Sequence, residues 1–258
     1  MFRLLVLGLL LLPLAAQKKS WTEAEVMAVH RSALLIDGHN DVTSRTVRGW
    51  DIGSEKDARH TSIGKLRAGG VGAQFFAAYV GASLIDSGGS ARRALEMIDT
   101  IRHDIVARHP DHFTLAVTAD QIEAAHRAGK IAALIGIEGG HAIENEPRLL
   151  RAFYDLGARY MTLTHTRNLD WAGSSAEKEE RGLSELGRRI IAEMNRLGMM
   201  VDIAHVSDKT FWDVVEASRA PVFSSHSSAR ALSNIPVSYT HLRAHETPEH
   251  LVCRLLLE

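Results

Sequence analysis

Apolar residues recur along the chain in short runs, at 33–36, 73–80, 132–137, 160–164, 200–204 and 221–224. Runs this short, closed by Gly or polar positions, are the pattern of strands buried on both faces. Between them the period becomes helical. Leu95, Ile98, Ile101, Ile105 and Val106 fall at helical spacing within 91–107, and Leu149 follows Pro147 into a further helix over 149–156. Ile190, Ile191, Met194 and Leu197 mark another, with Gly198 as its stop. Start signals agree. Ser20 with Glu23 and Thr118 with Gln121 have the spacing of capping boxes, and Ser207 precedes the pattern over 211–217. Strand and helix alternate without a Pro- or Ser-rich break, which predicts an α/β fold with a parallel sheet.

The ends read differently. After Arg3, residues 4–16 carry no charge, and Ala15 and Ala16 give a small-residue exit. That run is short for a bilayer span and long enough for a signal-peptide core, so residues 1–16 are expected to direct export to a periplasm or outside the cell. No stable membrane span is expected after cleavage. The lone Cys253 excludes an internal disulfide and a thiolate zinc site. Apolar and charged fractions of 45% and 24% belong to a globular chain, and a net charge of −1 with no basic stripe argues against a nucleic-acid partner.

The unusual count is 14 histidines. Five of the six runs lead into a residue that binds metal or moves a proton: Asp37-Gly38-His39-Asn40-Asp41 after the first, then Glu138, His165, His205 and His226. In a parallel α/β barrel all strand C-termini meet on one face, so these residues become neighbours through topology. His39 and Asp41, two apart on extended chain, point the same way and can hold one ion. His205 and His226 can hold a second, and the two oxygens of Glu138 can bridge both. Nitrogen and oxygen donors without thiolate suit zinc, with manganese or cobalt also possible. Two such ions about 3.5–4 Å apart would generate a bridging hydroxide near neutral pH. His165 remains to donate a hydrogen bond to a carbonyl that becomes an oxyanion. His30, His60, His103, His109, His112, His126 and His141 read as structural or surface residues.

Several motifs carry a family resemblance: Ile36-Asp37-Gly38-His39-Asn40-Asp41, Gly136-Ile137-Glu138-Gly139-Gly140-His141, Leu163-Thr164-His165, Gly182-Leu183-Ser184, Asp202-Ile203-Ala204-His205-Val206-Ser207 and Ser225-His226-Ser227-Ser228-Ala229-Arg230. In this order, over roughly 33–236, the chain resembles the membrane (renal) dipeptidase family of zinc peptidases. The resemblance implies a TIM-like (β/α)8 metal-dependent hydrolase barrel of the amidohydrolase type with two Zn2+ ions. On matching positions His39 and Asp41 bind one ion, Glu138 bridges with a part in catalysis, His205 and His226 bind the other, and His165 contacts the substrate. It implies dipeptide substrates and allows a homodimer.

The chain departs from the family after Pro236. The family's Arg that binds the substrate carboxylate falls on Val237, and its last two strands with a catalytic Asp have no counterpart. Spacing agrees: the expected strands recur about every 38 residues, and eight units at that pitch need about 300. The expectation is therefore an incomplete barrel of about six βα units over residues 17–236, with 237–258 a non-native tail. The alternatives are another metal-dependent barrel amidohydrolase or lactonase, or an inactive truncated fragment.

Overall fold

The computed structural model describes residues 21–56 and 58–227; the expected signal peptide at 1–16 and tail at 237–258 lie outside them. The chain divides into two units, Met1–Ala33 and Leu34–Glu258. The first contains α1 (Glu23–Ser32). Its capping box is Thr22 with Glu25, rather than the expected Ser20 with Glu23: Thr22 Oγ1 accepts from Glu25 N at 3.3 Å, and the Glu25 carboxylate accepts from Thr22 N at 2.9 Å. Ser20 itself lies outside the described residues.

The second unit runs β1 (Leu35–Asn40), α2 (Thr43–Thr46), α3 (Ile63–Ala68), β2 (Val71–Tyr79), α4 (Leu84–Ser87), α5 (Ser90–Thr100), β3 (Phe113–Leu115), α6 (Ala119–Arg127), β4 (Ile131–Glu138), α7 (Pro147–Asp155), β5 (Ala158–Thr162), α8 (Glu185–Leu197), β6 (Met200–Asp202) and α9 (Asp208–Ala217). A π-helical stretch, Ile101–Ala107, continues α5. Thr118, Ser184 and Ser207 cap α6, α8 and α9 by accepting backbone N–H bonds, and Gly198, at φ +79°, ends α8. No described helix is long and apolar enough to cross a membrane.

Among the described residues every strand pairing is parallel, in the order β1-β2-β4-β5-β6. β3 shares an edge of β4 with β5, lying against Ile131, Ala132 and Ala133 while β5 takes the C-terminal half. This is an α/β fold with a parallel half-barrel sheet. Three details differ from the sequence pattern. β3 was not expected. β1 begins later and runs on through polar residues to Asn40. The strand expected at 221–224 is reduced to a parallel bridge between Asp202 and Phe223, with Phe223 N donating to Val201 O at 2.9 Å.

The sheet separates two packed layers. On the helix side, Ala133, Ile135 and Ile137 of β4 join Met97, Ile98, Leu150, Phe153, Ile190 and Met194 in the main core. On the other side Ala132 and Leu134 join Ala73, Phe75 and Tyr160 in a smaller cluster, with Phe223 packed against it. Gly136 continues that inner face. A Cβ there would fall inside the Tyr160 ring, so the glycine makes room for the phenol.

Candidate metal centre

Because the strands are parallel, their C-terminal ends share one edge of the sheet. β1 delivers His39, with Asp41 just beyond it, and β4 ends on Glu138. His165, His205 and His226 each lie three residues past a paired position: Thr162, Asp202 and Phe223.

These side chains converge on the Glu138 carboxylate, which is only 3% exposed. Its Oε2 lies 3.4 Å from His39 Nε2. Its Oε1 lies 3.2 Å from His205 Nε2, 3.7 Å from His226 Nε2 and 3.8 Å from His165 Nε2. Asp41 Oδ1 stands 3.5 Å from His39 Nε2, with its side chain open to solvent at the mouth. His39 packs its ring on His226 at 4.1 Å between centroids, and His165 on His205 at 4.4 Å. All six residues singled out from the sequence are thus gathered in one place. Their donor atoms form two overlapping groups, His39–Glu138–His226 and Glu138–His165–His205. By distance His165 is therefore as well placed beside Glu138 as His226, and His205 and His226 touch directly, Nε2 to Nε2, at 2.9 Å.

Charge follows from this crowding. Burial alone would push the His39 imidazole down, but Asp41 and Glu138 outweigh it and raise its pKa to about 10. Burial would raise Glu138, yet the His205 and His39 imidazoles beside it hold it well below the usual carboxylate range. His165 is lowered by burial, its neighbours His205 and His39 adding to the effect against Glu138; His226 is lowered by burial and by His39. Burial, with Glu138 and Asp41 behind it, raises the Tyr79 phenol.

His39 Nε2 is buried and has no hydrogen-bond partner, although two carboxylates face it. A divalent cation among these atoms would replace the proton on that nitrogen and take up both carboxylates at once. Imidazole and carboxylate donors are the set zinc accepts, so the residues present fit the group. A cavity of about 330 Å³ opens over them, lined by Asp41, Ser44, Tyr79, Glu138, His165, His205 and His226.

Other residues hold the cluster in place. Tyr160 Oη lies 2.9 Å from His39 Nδ1, and the Tyr79 ring meets His165 edge-on at 5.0 Å. His205 adopts a left-handed backbone at φ +63°, a strained conformation for a side chain of its kind. Its carbonyl accepts from Ser175 N at 2.9 Å, Thr164 Oγ1 at 3.0 Å and Ser175 Oγ at 3.2 Å, which pins that turn. Sequence reasoning did not single out Tyr160, Thr164 or Ser175. The one signal was parity: Tyr160 shares its strand face with Thr162, the face opposite Met161. His141, read as structural, is 6% exposed, and its Nε2 donates to Gly81 O at 3.2 Å.

A parallel half-barrel with imidazoles gathered around one buried carboxylate at its C-terminal edge defines a metal-binding barrel protein. Within that class, the chain belongs to the membrane dipeptidase family (Peptidase family M19), whose model matches residues 23–240. It is 39% identical over 228 residues to Dipeptidase 3 of Rattus norvegicus, covering 82% of this chain and 46% of that protein. It is 40% identical over 220 residues to Dipeptidase verJ of Clonostachys rogersoniana, covering 78% and 56%. The chain thus spans about half the length of the curated relatives it matches. Among solved structures, dipeptidase AC, a metallo peptidase, superposes with a TM-score of 0.69 at 28% identity, covering 79% of this chain and 66% of that one. A metallo peptidase from Rhodobacter sphaeroides, liganded with a phosphinate mimic of the dipeptide L-Ala-D-Ala, gives 0.67 at 26%, covering 79% and 68%.

Proposed function

We propose that the chain carries the metal centre of a dipeptidase that hydrolyses the peptide bond of dipeptides. The observation that supports this most is the buried Glu138 carboxylate facing four imidazoles in a chain of this family. His39 and Asp41 would hold one ion, His205 and His226 the other, with Glu138 shared and zinc the metal its donors suit. When bound, two such ions supply Lewis-acid polarisation of a carbonyl and a water-derived nucleophile near neutral pH. The remaining work falls to the chain's own groups. His165, on the cavity wall, donates a hydrogen bond to the substrate carbonyl oxygen as negative charge develops there. Packing by Tyr79 fixes the plane from which it donates. The cavity, about 330 Å³, is of small-ligand size and accommodates a dipeptide rather than a folded protein. In this reading residues 17–236 form the catalytic portion, and residues 1–16 direct its export.

The test is a panel of dipeptides and lactones assayed with the full chain before and after chelation. Zinc binding that chelation removes is expected, and such dipeptide cleavage as the chain supports should disappear with the metal and return with added zinc. Preference for lactones, or undiminished dipeptide cleavage by metal-free protein, would overturn the reading.

A further inference from the structure

Asp202 ends β6 on the inner face, between Val201 and Ile203 of the main core, and is fully buried. A carboxylate there requires donors. It has four. Oδ1 accepts from Ser225 N at 2.9 Å and Ala204 N at 3.1 Å; Oδ2 accepts from Thr162 Oγ1 at 2.5 Å and Ser225 Oγ at 2.7 Å. Three of the four tie one strand end to the next, so Asp202 joins β5, β6 and the 223–226 segment below the metal centre.

Ser225 continues the chain of contacts, because its Oγ also lies 2.9 Å from His226 Nδ1. A serine hydroxyl has one hydrogen to give. With a carboxylate oxygen at 2.7 Å, that hydrogen goes to Asp202. The lone pair of Oγ is left facing His226, so Nδ1 must carry the hydrogen between them. A neutral imidazole protonated at Nδ1 has a bare Nε2. That nitrogen is the one turned toward Glu138 and His205.

We propose that Asp202 and Ser225 are positioning residues that fix His226 as its Nδ1–H tautomer and present Nε2 as a ready donor to a metal. Resting on the reading of His226 as a ligand, the relay explains why a buried charge stands where no substrate reaches. Partners of this kind hold a ligand's ring and raise its basicity, and their loss typically costs 10–100-fold in metal affinity.

The experiment uses the full chain, with zinc as the probe. Nitrogen-15 shifts of the His226 ring in metal-free protein report the tautomer, and chelator competition reports zinc affinity. The wild type should show Nδ1–H. Ser225→Ala should lose that preference and bind zinc about 10–100-fold more weakly, while Ser225→Thr, which keeps the hydroxyl, should restore both. Asp202→Asn should shift the tautomer the same way; if it fails to fold, the Ser225 pair decides alone. An Nε2–H tautomer in the wild type, or unchanged zinc affinity in folded Ser225→Ala, would overturn the relay. Should the wild type bind no zinc, the proposed function falls while the tautomer measurement still judges the relay.

Discussion

On the helix-facing side of β4, Ala133, Ile135 and Ile137 are apolar along the whole strand and share the main core with buried residues of α5, α7 and α8. On the inner side of the same strand, Ala132, Leu134, Gly136 and Glu138 pass from apolar, to bare backbone, to charged. Both faces are buried, yet they answer to different demands. The outer face needs volume and tolerates any side chain that supplies it. The inner face needs a particular atom at each level: methyl groups below, space for the Tyr160 ring above them, and a carboxylate at the rim. One strand therefore separates what holds the fold from what makes the site.

The largest expected effect tests the charged end of the inner face. Glu138→Gln removes the carboxylate common to His39, His165, His205 and His226. Metal affinity should fall on the order of 10³-fold or more, beyond the roughly 10–100-fold that supporting partners are worth. Metal analysis after dialysis checks it, and retention of two ions per chain would place the centre elsewhere. Ile135→Ala tests the opposite face. It empties a fully buried position and should cost about 2–5 kcal/mol of stability, read as a lower urea midpoint at unchanged slope. The folded fraction should still bind metal like the wild type. If it does not, the two faces are not independent.

Gly136→Ala adds a single methyl group where the Tyr160 ring lies. The expected stability loss, about 1–3 kcal/mol from overpacking, is smaller than for Ile135→Ala. Metal binding should suffer more, because Tyr160 Oη contacts His39 Nδ1. Reversed ranks in the two assays would break the comparison.

How much of this was legible in the sequence follows the same division. The outer face is written in runs of apolar residues, and these place β2, β4, β5 and α5 to α9 close to where they lie. The ligand candidates were legible because a parallel sheet brings strand ends together whatever their separation in sequence. The apolar run of the first strand stops at Ile36, so its period does not show that β1 pairs on through Asp37-Gly38-His39-Asn40. Its backbone is nevertheless paired with β2, and the Gln74 amide reaches back to Asp37 O and Asn40. β3 escaped notice because three residues on one edge of β4 leave no period to detect. Tyr160, Ser225 and Asp202 were not singled out as supports because their partners lie up to 121 residues away, and no local pattern encodes that pairing. A charged residue between two core residues, as at Val201-Asp202-Ile203, was the one visible trace.

The smallest expected effect lies outside both faces of the strand. Glu193 of α8 takes a two-pronged contact from Arg196, at 2.7 and 2.8 Å, and a bond from Arg151 of α7 at 2.9 Å. The two guanidinium groups hold its carboxyl down to about 2, from the usual 4.5. A carboxyl with a lower pKa folded than unfolded contributes fully above about pH 4.5, where it is ionised in both states. As the pH falls below that value the unfolded chain takes up the proton first, and the contribution is gone once the pH drops below about 2. Both arginines are substantially exposed, so the contribution is about 1 kcal/mol and weakens with salt. Glu193→Gln should therefore lower the urea midpoint slightly at pH 7, and the gap from the wild type should close steadily between pH 4.5 and pH 2. Metal binding at neutral pH should stay at the wild-type level, because Leu150, Phe153, Ile190 and Met194 of these helices are buried in the outer core and Glu193 touches no residue of the site. A gap that kept its size down to pH 2 would assign the effect to packing between α7 and α8 rather than to charge, and would extend the volume rule of the outer face to the helix surface above it.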